Sequence, residues 1–283
     1  MPEQRNDRYP IHGRHSKVSP KPGRTGKLCQ PMSLAALITL ILLFFVTSVI
    51  GVVTGSNSLI TVPVMFQFGM DEKTAIATNM FGLTFMSIGA TIPFLRKRMI
   101  DHRKVTPLIA LTVVGSAIGA LLVGLIENQG LKLIVSGGMI TVAVFTLMRS
   151  DRPNTDTIRP TIAYVLTFAL AIYGGLYSGG YVTMLTAVYV AFFAMPFAEA
   201  VGATKLINVF SSLIATSIFI WQGFVDFRLG VVLAVTMFIG AYIGAHYASR
   251  MNEVWLRRLF LATVLLLAAK TLYDVLAALF FVG

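Results

Sequence analysis

The chain has 283 residues, 56% of them hydrophobic and only 12% charged, with 23 Lys and Arg against 12 Asp and Glu. A soluble domain carries roughly 25% charged residues. At a mean hydropathy of +0.78 there is too little polar surface to face water, so the sequence reads as a polytopic membrane protein. The net charge of +11 does not mark a nucleic-acid binder, because the basic residues lie between apolar runs, where positive charge fixes orientation. The single cysteine, Cys29, excludes an internal disulfide and a cysteine-based metal site. The histidines show no HExxH spacing, and no Walker motif is present. No cofactor is implied.

In chain order, residues 1–31 are polar, basic and rich in Pro and Gly, and read as a disordered tail. Met32 opens the first apolar run and is itself a candidate start. Eight apolar segments follow, each long enough to span a bilayer: Ser33–Val53, Thr74–Leu95, Val105–Ile126, Leu131–Met148, Thr161–Tyr177, Phe197–Trp221, Leu229–Ala248 and Trp255–Leu279. Two shorter apolar pieces, Leu59–Phe68 and Tyr181–Phe193, suit re-entrant or broken helices. The fold class expected is therefore all-α, with about eight transmembrane helices plus two short interrupted ones.

A shift of 125 residues lays the chain on itself. GSAIGALL at Gly115 falls on GAYIGAHY at Gly240, Asp101 on Asp226, Arg103 on Arg228, Gly55 on Gly180 and Ala75 on Ala200. This divides the chain into a first repeat, 32–150, a polar Pro-bearing linker, 151–160, and a second repeat, 161–283. Short interrupted segments at matching places in two repeats point to a transport site. The pairs Gly115/Gly119 and Gly240/Gly244 are small-xxx-small faces, expected to pack helices. Basic residues crowd the turn 96–104 in the first repeat but the turn 250–258 in the second. By the positive-inside rule the two repeats are then inverted.

The chemistry concentrates in Gly174–Asn208. Lys205 lies inside an apolar helix; if Pro196 opens that helix, Lys205 sits roughly 13 Å along it at ~1.5 Å per residue, near mid-depth in the membrane. A central Lys costs about 2.5–3.5 kcal/mol to insert, which marks a site for a small anion. It could otherwise snorkel to the interface or pair with Glu199. The breaks at Gly55, Asn57 and Ser58 and at Ser178, Gly179 and Gly180 could offer backbone N–H groups and half-helix N-termini to an anion, or serve as tight turns. Thr78 and Asn79 occupy the stretch that Thr204 and Lys205 occupy in the other repeat, with Asn208 one turn on from Thr204; their neutral donors suit anion oxygens or helix–helix hydrogen bonds. Lys270 and Asp274, spaced i, i+4, read as a structural pair. His246 is either a proton relay or simply packed.

The duplicated order of glycine break, Pro63, Ala77-Thr78-Asn79, basic turn with Asp101 and Gly-xxx-Gly resembles the TauE/SafE family of membrane permeases, from Ser33 to about Leu279. That resemblance implies a permease moving a small anion, such as sulfite or an organosulfonate, across the cytoplasmic membrane. A proton or sodium ion would couple the movement, and the oligomeric state stays open. The chain departs from the family's first break, usually Gly-x-Gly-Gly-Gly, which here reads Gly55-Ser56-Asn57-Ser58. The second break, Ser178-Gly179-Gly180-Tyr181, is also poorer in glycine. The side chains of Asn57 and Ser58 are thereby expected to contact the substrate. Two other classes are an accessory membrane subunit without transport of its own and an intramembrane serine protease built on Ser178 and His246.

Overall fold

The computed structural model describes residues 34–55, 57–148 and 159–252, with positions 254, 255, 258 and 262 beyond. The chain divides into units Met1–Met32 and Ser33–Gly283, and every described residue lies in the second. The described residues form helices α1 (Leu34–Thr54), α2 (Ser58–Gln67), α3 (Glu72–Arg96), α4 (His102–Leu125), α5 (Asn128–Met148), α6 (Pro160–Leu176), α7 (Tyr181–Phe192), α8 (Phe197–Trp221) and α9 (Phe227–Ala248), and no strand. Among the described residues α1, α3, α4, α8 and α9 are long and apolar enough to cross a membrane; the eight spans expected cover the whole chain. The fifth expected span is the 17-residue helix α6, and the short pieces are α2 and α7. The tail, most of the linker, and the eighth segment with Lys270 and Asp274 lie outside the described residues.

Helix ends follow local chemistry. Asp101 and Asp226 cap α4 and α9, their carboxylates accepting from Arg103 N at 3.0 Å and Arg228 N at 2.9 Å. Both caps have φ −81°. Asp71 caps α3 in the same way, and Pro196 stands at the N-cap of α8. Adding 125 to the bounds of α3, 72 and 96, returns those of α8, 197 and 221. The described residues with left-handed backbone also pair at that offset: Gly55 with Gly180, Gly69 with Ala194, and Arg98 with Gly223.

Packing crosses between the two parts of the chain. Helix α9 lies on α1 and α3, while α4 lies on α6 and α8; α3 and α8 meet each other. Glycine makes these contacts close. A Cβ on Gly115 would come within 2.7 Å of Ala171 Cβ, and one on Gly119 would fall on the Ile172 carbonyl oxygen. Likewise a Cβ on Gly240 would sit 2.8 Å from Phe45 O, and one on Gly244 would meet Val49 O. Both glycine pairs therefore pack helices, as expected.

The outer faces are apolar. Leu34, Ile38, Leu42, Val46 and Ile50 form an exposed stripe of period four on α1, and Val231, Val235 and Ile239 continue the pattern on α9. Water would penalise such stripes, whereas hydrocarbon does not. Charges gather at the two ends of the bundle. At one end Lys97, after α3, donates to Ser249 O after α9 at 2.5 Å, and Lys104 on α4 meets Glu199 on α8 at 3.2 Å. At the other, Lys73 donates to Gly124 O at 3.0 Å and lies over the Phe224 ring, while Lys132 pairs with Glu72 at 2.7 Å. The start of α3 thus shares an end with the finish of α8, so these two helices run antiparallel.

Gly119→Leu should lower the melting temperature in detergent by the equivalent of about 1–3 kcal/mol or more, the usual penalty of overpacking. Gly137→Leu on α5, where an added Cβ meets nothing within 4 Å, should leave it nearly unchanged. Equal shifts would remove the close-packing argument.

Candidate functional site: a small polar cavity between two chain breaks

Helix α1 ends at Thr54, and Gly55, at φ +71°, turns the chain into α2. Helix α6 ends at Leu176, and Gly180, at φ +76°, starts α7. An L side chain is strained in this region, and a Cβ on Gly55 would also lie 2.8 Å from Val182 Cβ. The two breaks therefore meet. Ser58 Oγ and Ser178 Oγ are 2.8 Å apart. Neither Asn57 nor Gly180, the N-cap residues of α2 and α7, makes a side-chain cap hydrogen bond.

Side chains reach backbone carbonyls at both breaks. Thr183 Oγ1 donates to Thr54 O at 2.5 Å, Tyr177 OH to Ser58 O at 3.0 Å and Tyr173 OH to Gly179 O at 2.6 Å. Asn79 ties α3 into the junction. Its Nδ2 donates to Ser58 Oγ at 2.9 Å, while its Oδ1 accepts from Thr61 Oγ1 at 2.7 Å. The matching pair 125 residues on, Thr186 and Thr204, is joined at 3.2 Å.

Against this junction α8 places Lys205, 3% exposed and the one buried charged residue among those described. Its ammonium donates to Gly51 O at 3.0 Å. That carbonyl belongs to the last turn of α1, the negative end of the helix dipole, while the N-termini of α2 and α7 are positive ends. Lys205 therefore does not snorkel, and Glu199 meets Lys104 instead. A cavity of about 10 Å³ lies here, its polar lining contributed by Asn57, Ser58, Ser87, Ser178, Lys205 and Asn208. Gly51, Gly55, Leu83, Met86, Ala90 and Val182 complete its wall. The volume matches about one water-sized sphere, less space than a four-atom anion fills.

Of the residues singled out in the sequence, Lys205, Asn208, Gly55, Asn57, Ser58 and Ser178 line this cavity. Asn79 stands one hydrogen bond behind Ser58. The others support it from outside the lining. Thr78 Oγ1 accepts from Asp226 N at 3.0 Å and so holds the turn before α9. Thr204 also donates to Val201 O. Gly179 and Gly180 shape the break. His246 is packed, stacked on Tyr242 with ring centroids 6.4 Å apart. Sequence reasoning missed Ser87, which accepts from Asn208 Nδ2 at 2.6 Å, and Gly51. Serine is common in apolar helices, where it bonds its own backbone; Gly51, four residues before Gly55, carried the small-xxx-small signal.

A multi-pass helical bundle in which two interrupted helices meet at a polar cavity containing a buried cation has the build of a membrane transporter. Residues 40–271 match the model of the sulfite exporter TauE/SafE family, and the chain belongs to that family. Among its relatives is the probable membrane transporter protein YfcA of Escherichia coli K12, 29% identical over 241 residues, 82% of this chain and 89% of that protein. The probable membrane transporter protein ORF9 of Sinorhizobium sp is 25% identical over 87% of this chain and 95% of its own length. A probable membrane transporter protein of Haemophilus influenzae is 24% identical over 81% and 92%. No solved structure gives a significant match.

Asn79→Leu should remove one hydrogen bond each from Thr61 and Ser58, which keep Asn57 O and Ser178 as partners. A loss of about 1–3 kcal/mol, the net contribution of two hydrogen bonds, should appear as a lower melting temperature in detergent. An unchanged value would mean that this network is dispensable to the fold.

Proposed function

We propose that the chain is a secondary transporter of a small anion, a sulfur oxyanion such as sulfite or an organosulfonate, across the cytoplasmic membrane, with Lys205 as the charge partner. One observation carries the reading: a buried lysine, free of any ion pair among the described residues, at a polar cavity where the positive ends of two interrupted helices converge. An anion leaving water loses its hydration, and an ammonium with helix N-termini replaces it. Lys205 already donates to the Gly51 carbonyl, so binding exchanges one acceptor for another. The cavity is smaller than such an anion, so binding and passage require it to widen.

The carrier frame is two inverted halves, 32–150 and 161–283. The 125-residue offset in helix bounds, the paired left-handed residues and the antiparallel course of α3 and α8 support it. Thr78, Asn79 and Thr204 brace the two halves, while Asn208 and the breaks face the substrate. Arg96, Lys97, Arg98, Arg103, Lys104 and Arg250 gather at one end, which the positive-inside rule makes cytoplasmic. A proton or sodium ion drives the cycle. The family's description, sulfite exporter, is thereby extended to this chain.

Two experiments test it. In proteoliposomes Lys205→Met should insert and run monodisperse yet move sulfite at least about 30-fold more slowly, since a hydrogen bond to a charged group contributes about 2 kcal/mol. Lys205→Arg should retain part of the rate. Wild-type transport by a correctly inserted Lys205→Met protein would falsify the assignment. For orientation, cysteines placed at Lys97 and Arg250 in cells should both resist an impermeant thiol reagent, and labelling of one alone would mean parallel halves.

A further inference from the structure

The cavity holds an amide whose hydrogen-bonding capacity is unused. Asn57 is 4% exposed, lines the same cavity as Lys205, and neither its Oδ1 nor its Nδ2 has a hydrogen-bond partner among the described residues. A buried amide left unpaired costs folding free energy, and one that faces a cavity can be completed by what the cavity binds. The neighbouring polar groups are already engaged with one another: Ser58 with Ser178 and Asn79, Asn208 with Ser87, Lys205 with Gly51 O. Reversing the amide exchanges its two ends but leaves one donor and one acceptor unmet either way.

The demand made on a ligand is therefore specific. Lys205 and one end of Asn57 call for acceptor oxygens on a group of single negative charge, since no carboxylate lines the cavity. The other end of Asn57 calls for a hydrogen-bond donor on the same small molecule. We propose, on the basis of the anion reading above, that Asn57 is a specificity-determining residue that selects monoanions bearing an O–H or N–H donor beside the acid group over plain anions of the same size. A site that hydrogen-bonds a substrate hydroxyl rejects the analogue lacking it, because its own polar atom is then left unpaired. The preference expected from one neutral hydrogen bond is about tenfold.

The test uses matched pairs on the full-length protein in detergent: 2-hydroxyethanesulfonate against ethanesulfonate, and glycolate against acetate. Thermal stabilisation titrations read the apparent affinity of each. The hydroxylated member of each pair should act at about tenfold lower concentration on wild type. In Asn57→Leu the ratio should collapse to about one, whatever the absolute affinities. Asn57→Gly, which the αR backbone there accepts, serves as a second variant should the leucine not fold. Equal affinities within both pairs on wild type, a preference surviving both substitutions, or no response to any of the four anions would each overturn the proposal. The sulfite transport assay with Lys205→Met is independent of these readings. If it succeeds while the pairs show no discrimination, the anion reading stands and the role of Asn57 falls.

Discussion

The bundle depends on satisfying backbone groups where no water reaches them. A continuous helix does this internally, but a chain that breaks at Gly55 and again at Gly180 inside apolar surroundings exposes carbonyl and amide groups that hydrocarbon cannot serve. Here the second break serves the first, with Thr183 donating to Thr54 O and Tyr177 to Ser58 O, and the two are joined through Ser58 and Ser178. The site follows from this arrangement. Two half-helix N-termini are brought face to face, and a third helix, α8, needs to contribute only one cation.

Placing that cation has a cost, and the surroundings show how it is met. Lys205 lies nine residues after the Pro196 cap and donates a hydrogen bond to a carbonyl at the finish of α1. A neutral acceptor on a helix terminus holds an ammonium more weakly than a carboxylate would. The lysine is therefore held in place yet remains exchangeable. A carboxylate partner would have made a tighter structural pair with nothing left for a solute. The carboxylate nearest in sequence, Glu199, sits at the end of the bundle with Lys104.

Much of this was legible from residue types. Helix α8 runs over the range read from its apolar pattern, because Pro196 and Gln222-Gly223 punctuate it sharply. Helices α4 and α9 begin about three and two residues earlier than hydropathy indicates, since Asp101 and Asp226 cap them and polar residues then fill the first turn. A lysine in an apolar helix and glycines between apolar runs are rare enough to signal a site. What stayed hidden depends on helix pairing. Ser87 and Gly51 join the cavity only because α3 meets α8 and the end of α1 reaches Lys205. Thr78 turned out to brace the α8–α9 turn, a contact across 148 positions that no local pattern encodes. Helix α6 stops at 17 residues, where Tyr177 leaves the helical course, a boundary that the apolar pattern places within a residue.

The exchange of partners between the two parts of the chain also sets a timetable for biogenesis. Helix α1 finds its glycine seat on α9, at Gly240 and Gly244, which the ribosome reaches nearly two hundred residues later. At about 5–20 residues per second, that is an interval on the order of ten seconds in which α1 is in the bilayer without its mate. Helix α6, by contrast, emerges after α4 and meets its seat at Gly115 and Gly119 already made. The early part of the protein must therefore wait in lipid, or in the keeping of an insertase, while the later part closes over it. Mutations that weaken the α9 seat should then be felt first as proteolysis of an unfinished chain, before any defect in the finished carrier.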